Sequence, residues 1–315
     1  MPALGALAAL AAVLSLSCSP ANVMATADGG DATAVESACH AYAYAYCTHL
    51  ETCSTTTLQT RFSAIGTCES LYVASCVNAM ESPSTAGTVA TRNACTDAIP
   101  GWACADFIQG QNPPPGCVVQ AGSLPEGAGC AFNSQCQSSF CGLPGGSACG
   151  TCAPQPVAGA PCVFTQCGQG LSCALNSMTC IVPALEGASC VNSFCSTGLA
   201  CIGGKCTLPA SGLGSPCDYA GAGCNFVSGL VCNGESNTCV TATLALPGQA
   251  CGMVGGQQQN CAAGLCVEGA CVGDPLVGEA CQLDGPPCYN DTRCVLPGDG
   301  GVVGTCLVVG TLACE

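Results

Sequence analysis

The chain has 315 residues, of which 35 are cysteine, and its 4 Lys+Arg against 19 Asp+Glu give a formal net charge of −15. So few cations exclude a nucleic-acid partner, whose phosphates demand Lys and Arg, and the acidity is read as a solubility device. Charged residues make up 7% and aromatics 4%, too few of either for the usual charged shell around a large apolar core. Covalent cross-linking must take over much of that core's role, which places the chain among small disulfide-rich folds.

At the amino end, residues 3–16 form a small apolar run, too short to span a bilayer and of the length of a signal-peptide core. Leu14-Ser15-Leu16-Ser17-Cys18 resembles the lipobox of bacterial lipoproteins, which implies cleavage before Cys18 and acylation of that cysteine. A rival site for ordinary secretion is Ala25-Thr26-Ala27, an A-x-A pattern. Residues 1–18 are therefore assigned to a signal segment and 19–34 to a flexible linker. Either cut leaves 34 cysteines for pairing, an even number that fits full oxidation. No later stretch approaches 18 consecutive apolar residues.

Residues 35–117 carry eight widely spaced cysteines, Cys39, Cys47, Cys53, Cys68, Cys76, Cys95, Cys104 and Cys117, within Ala-rich segments. The first predicted helix covers 36–53, where Tyr42, Tyr46, His49 and Cys53 recur at helical spacing and face inward. Further helices are predicted over 58–80, over 88–99 after the break at Ser82-Pro83-Ser84, and over 102–108. Four disulfides would staple this small bundle, each adding about 2 to 4 kcal/mol to a thin core. The bundle ends at a proline-rich joint, Asn112-Pro113-Pro114-Pro115-Gly116-Cys117.

Beyond the joint, cysteines follow a repeating phrase that divides the chain into units 123–154, 155–183, 184–209, 210–247, 248–275 and 276–315. The unit cysteines are Cys130, Cys136, Cys141 and Cys149; Cys162, Cys167, Cys173 and Cys180; Cys190, Cys195, Cys201 and Cys206. The later units carry Cys217, Cys224, Cys232 and Cys239; Cys251, Cys261, Cys266 and Cys271; Cys281, Cys288, Cys294 and Cys306. Each unit opens with a phrase such as Gly127-Ala128-Gly129-Cys130 or Gly159-Ala160-Pro161-Cys162, and the third cysteine often follows Gly-Leu-x, as in Gly170-Leu171-Ser172-Cys173. A turn and a further Cys then complete a short β-hairpin tied at its base, with Gly203-Gly204 and Asn233-Gly234 the clearest turn signals. A unit of about 30 residues cannot offset its chain entropy by burial alone, so two disulfides per unit are required. Three pairings are open in each, with first-to-third and second-to-fourth preferred. Cys152 and Cys314 stand outside this count; they either join across an array that folds back, or mark a shifted pairing frame. The expected architecture is an N-terminal disulfide-stapled α-helical bundle followed by an extended array of short β-hairpin cysteine-rich repeats.

The array resembles repeated Dickkopf N-terminal cysteine-rich domains and the similar EB module, in the manner of bacterial cysteine-rich lipoproteins. The likeness spans residues 123–315 and rests on positions such as Cys162, Cys167, Cys173 and Cys180 with their Gly and Pro punctuation. The gaps from Cys251 to Cys261 and from Cys294 to Cys306 depart from it. It implies extracellular placement and a binding or structural role, and it transfers no receptor-binding residue.

Chemical motifs reduce to structural ones. Cys149-Gly150-Thr151-Cys152 has the C-x-x-C form, but Gly and Pro surround it where a redox pair needs a helix amino terminus, and no second ligand pair exists for zinc. His40 and His49 near Cys47 would make a nucleophile arrangement only with a free thiolate. Gly204-Lys205 lacks the glycine and hydroxyl of a P-loop, and Asp284, Asp291 and Asp299 lack calcium-loop alternation. Asn290-Asp291-Thr292 fits a glycosylation sequon. Strands and helices do not alternate as a (β/α)8 enzyme requires. No catalytic residue, metal or cofactor is expected. The expectation is a non-enzymatic exported lipoprotein of the outer membrane or cell surface, anchored through Cys18, that displays or binds an extracellular protein or glycan. The alternative is a freely secreted effector such as a hydrolase inhibitor.

Overall fold

The computed structural model describes residues 31–143, 149–162, 167, 168, 170–174, 177–191, 194–196, 199–217, 223–255, 257–282, 288, 292–297, 302–310 and 314. The signal segment, Cys18 and the alternative cut after Ala27 lie outside these residues.

Five α-helices build the head: α1 (Asp31–Cys53), α2 (Thr55–Phe62), α3 (Ile65–Glu81), α4 (Val89–Ala98) and α5 (Cys104–Gln109). Helix α1 thus takes in the last residues of the expected 19–34 linker. The predicted single helix over 58–80 is corrected to two, because Ser63 adopts a positive φ of 60° and donates its N–H back to the Gln59 carbonyl, closing α2. Two of the starts carry side-chain caps. The Ser54 hydroxyl accepts from the Thr57 N–H at 3.0 Å, and Thr88 and Thr91 form a reciprocal capping box on α4.

Helix α1 is the spine. Its Cys39 and Cys47 bond Cys76 and Cys68 of α3; a step of eight residues up one helix meets a step of eight down the other, so the pair runs antiparallel. Cys53 bonds Cys104 of α5, and Cys95 of α4 bonds Cys117 at the end of the joint. Leu50, Leu58, Phe62, Ile99 and Phe107 fill the space between, so the head keeps a true apolar core beside its four cross-links.

The six units repeat one design. Before the first cysteine lies a four-residue turn whose third residue is Gly127, Gly159, Gly187, Gly214, Gly248 or Gly278, all with φ between 78° and 86°. A type II turn needs that conformation, which only glycine adopts without cost. In each unit this glycine donates its N–H to the carbonyl of the hairpin's last cysteine at 2.7 to 2.8 Å, as Gly127 does to Cys152 and Gly278 to Cys306. That cysteine's N–H returns to the residue after the glycine, as from Cys180 to Ala160. The third and fourth cysteines face each other across the hairpin, Cys173 opposite Cys180 and Cys201 opposite Cys206, yet they do not bond one another. The first bonds the third and the second bonds the fourth, in every unit. The preferred pairing is the one observed.

One cysteine assignment is corrected. The unit 1 cysteine opposite Cys141 is Cys152, and it bonds Cys136. Cys149 is therefore the surplus residue, sitting in the connection between the strands, and it bonds Cys314 across 165 positions with a Cα–Cα distance of 5.4 Å.

That bond also corrects the expectation of an extended array. The array curls back on the head and meets it at several places. Buried Gln135 of unit 1 donates to the Pro83 carbonyl at 3.0 Å, Val227 of unit 4 and Ala263 of unit 5 pack into the head's core cluster, and Asn78 of α3 donates to the Val309 carbonyl at 3.0 Å. Gly310, at φ 83°, lies so close to the Phe132 ring and Asn78 that a Cβ would collide. Units 4 and 5 are further fused into one sheet, in which strand Gln257–Cys261 pairs with Leu230–Asn233. Leu244–Ala245, on the unit 4 side of the expected boundary, pairs in parallel with that same unit 5 strand.

Candidate ligand cleft of the helical head

A cleft of about 650 Å³ lies against the helical head, its far wall closed by Val118 to Gln120 and by Phe132, Asn133 and Ser134 of unit 1. Helix α1 places Tyr42 and Tyr46 one turn apart on the same face, with ring centroids 6.1 Å apart. Because α3 runs antiparallel beside α1, its Tyr72 reaches 4.2 Å from Tyr46. Phe107 of α5 comes within 4.7 Å of Tyr46 and 5.3 Å of Trp102. The Trp102 indole N–H donates to the Gln111 carbonyl at 2.9 Å, which fixes the ring at the cleft wall.

Two of the chain's four cations, Arg61 and Arg92, line this cleft, and no Asp or Glu does. The guanidinium of Arg92 lies 4.3 Å from the centroid of the Tyr42 ring, a cation–π contact. Its Nε is buried and has no hydrogen-bond partner among the described residues. Arg61 is held by donation from Nη2 to the Ile108 carbonyl at 3.2 Å. In a chain of net charge −15, two arginines and no carboxylate among the lining residues set this concave surface apart. The sequence reading placed Tyr42 and Tyr46 on an inward face and did not single out either arginine. The available signal was scarcity: with four cations in the chain, two in one small bundle mark a place.

The other candidate residues resolve into structure. His49 Nε2 lies 2.8 Å from the Trp102 carbonyl, so it must carry the proton and donate, and it also lies 3.5 Å from Cys53 Sγ. His40 is exposed, 4.0 Å from Glu36. Cys47, the nearest nucleophile candidate, is bonded to Cys68. His49, Cys53 and Cys104 cluster within 4.8 Å, but the two sulfurs share a disulfide and lack the thiolate charge that binds metal. The three-cysteine clusters of units 1 to 4 arise from pairs of neighbouring disulfides. Cys149 and Cys152 go to different partners, so the C-x-x-C is no dithiol. Gly203 and Gly204, at φ 57° and 77°, form the two-residue turn of a hairpin. Asp284, Asn290, Asp291 and Asp299 lie outside the described residues.

No helix among the described residues is long and apolar enough to cross a membrane. The density of disulfides belongs to an oxidising, exported setting. Compared with known protein families, with curated proteins and with solved structures, the chain matches none of them.

Proposed function

We propose that this protein is a non-enzymatic, exported lipoprotein, anchored through Cys18, whose helical head, held in a fixed shape by its apolar core and its four disulfides, offers its cleft as a binding site. The observation that carries this reading is the spending of all 34 cysteines beyond Cys18 in disulfides. Among the described residues no thiolate is left for nucleophilic or redox work, while a cleft lined by aromatic rings and two arginines is left open. The cross-linked frame suits display outside the cell, where proteases attack segments that open locally. The spacing likeness to Dickkopf and EB units supports a binding role without naming a ligand.

Intact mass and palmitate labelling of protein from its native membrane test the anchor. Label on the wild type and none on Cys18→Ala supports it, whereas unlabelled protein released to the medium overturns it in favour of free secretion. The binding role is tested on the same protein by ligand-induced changes in the fluorescence of Trp102, the one tryptophan of the chain.

A further inference from the structure

We propose that the disulfide between Cys53 and Cys104 is a thiol-exchange site, at which a small external thiol is captured covalently on Cys104 and the grip of α1 on α5 is released. Of the chain's disulfides only this one and the bond between Cys149 and Cys314 have neither half buried. Its two ends differ. Cys53 is half-buried at the end of α1, whereas Cys104 opens α5 and is the more exposed.

Cys53 also has a hydrogen-bond donor beside it. His49 lies one turn back on α1, and its Nε2–H, given to the Trp102 carbonyl at 2.8 Å, is 3.5 Å from Cys53 Sγ. The Phe107 ring meets the imidazole edge to face, with centroids 4.7 Å apart, and so holds it in place. In the resting protein this donor faces an uncharged sulfur, a weak acceptor. It becomes effective when negative charge appears there, because hydrogen bonds to an ion are shorter and stronger than those between neutral groups.

Exchange supplies that charge. An external thiolate attacks Cys104 Sγ; the new S–S bond forms as the bond to Cys53 breaks, and the electron pair leaves on Cys53 Sγ, which accepts from His49 Nε2–H. The proton given up by the attacking thiol is matched by one that solvent returns to Cys53. One disulfide replaces another, so the step needs no oxidant or reductant beyond the thiol itself. A stabilised thiolate leaves faster, so His49 directs attack to Cys104 and away from Cys53.

The consequence for the head lies in what α5 carries. Phe107 and Ile108 of α5 line the cleft, as does Trp102 just before it. Once Cys104 is free of α1, the helix is still held by its buried Phe107 and by donation from Arg61 to the Ile108 carbonyl. The cleft wall then loosens locally while the rest of the bundle stays folded.

The test exposes the intact oxidised protein to 2-mercaptoethanol, a neutral small thiol, traps free thiols with N-ethylmaleimide at short times and maps both adducts by mass spectrometry, with Trp102 fluorescence followed in parallel. The expected result is mercaptoethanol on Cys104 and maleimide on Cys53, formed at least about tenfold faster than adducts at the other three head disulfides, with a fluorescence change at the same rate. His49→Leu removes the donor and should slow capture at Cys104 by about tenfold, and His49→Gln, which keeps an N–H, should recover part of that rate. A histidine that only packs would act in the opposite direction, since its removal would open the site and speed exchange. Faster exchange in His49→Leu, mercaptoethanol on Cys53 in place of Cys104, or equal rates at all four head disulfides overturns the exchange site. An adduct on Cys104 with unchanged Trp102 fluorescence overturns the loosening of the cleft wall.

Discussion

Head and array hold their shapes by different physics. The head is cross-linked four times, yet it also buries Leu50, Leu58, Phe62 and Ile99 almost completely. In the units the interior is mostly disulfide: among the described residues unit 1 buries Cys130, Cys136, Cys141 and Cys152 with Leu124 and Leu143 packed against them, unit 2 buries Cys162, Cys173 and Cys180, and unit 4 adds a single leucine, Leu230. Where side chains supply a core, cysteine reinforces it. Where a unit of about 30 residues has no room for one, cysteine is the core.

The largest expected effect breaks the comparison open. Stepwise reduction, followed by hydrogen exchange and mass spectrometry, should strip protection from the hairpin amides that hold each turn, such as Cys152 N–H and Cys180 N–H, before it strips the helical amides of α1 and α3. Hairpin amides still protected after their own cysteines are free would show that the units have a core of another kind.

Next in size is the closure bond. A bare loop of 165 residues would contribute about 5 kcal/mol through loop entropy. The disulfides inside the units already shorten that path, so the Cys149→Ser, Cys314→Ser pair is expected to cost about 3 kcal/mol or less. Its signature is local: limited proteolysis should gain cuts near the carboxyl end, and the contact between Asn78 and Val309 should loosen, while the head's aromatic cluster stays intact. Global unfolding at unchanged head disulfides would mean that the collar, and not the apolar core, holds the head.

Gln135 sharpens the comparison where the two regions meet. It is 5% exposed, its Oε1 accepts from Ala131 N–H at 2.8 Å and Phe132 N–H at 3.0 Å, and its Nε2 donates to the Pro83 carbonyl. Gln135→Leu keeps volume but leaves those groups unmatched, and should cost about 2 kcal/mol in denaturant unfolding. A loss below a few tenths would show that water replaces the amide and that the junction is not a specific polar joint.

Much of the array was legible because its information is local. Gly-x-x-Cys states the turn, and the tight cysteine spacing states the hairpin and its two bonds. Counting cysteines in order assigns Cys149 to the hairpin because rank ignores register: Cys152 is the fourth because it sits opposite Cys141. The break at Ser63 left no mark because a serine at positive φ carries none of the signal that Gly or Pro would. The closing of the collar and the meeting of Arg92 with Tyr42 are contacts between distant parts of the chain, which spacing does not encode. The cleft's chemistry was present in the composition as a scarcity of cations, but its location required helix α4 to be seen against α1.

The smallest effect concerns the seam where unit 5 meets the head. Asp274 is half-buried, its Oδ1 has no hydrogen-bond partner among the described residues, and its backbone N–H donates to the carbonyl of Ala263 at 3.1 Å, the residue that packs into the head's core. Burial pushes its carboxyl up from 3.8 to about 6. A raised carboxyl binds its proton more tightly folded than unfolded, so the folded state gains stability as pH falls from about 6 towards 3.8 and carries the penalty of a buried charge above that window. Solvent screening at a half-exposed site holds the gain to the order of 1 kcal/mol. Asp274→Asn should therefore stabilise the protein at pH 7 by about that amount and flatten the stability profile between pH 4 and 6, measured as denaturation midpoints across the range. A variant less stable than wild type at pH 7 would mean that the charge has a partner that compensates its burial, and that the seam between the two regions is electrostatic as well as apolar.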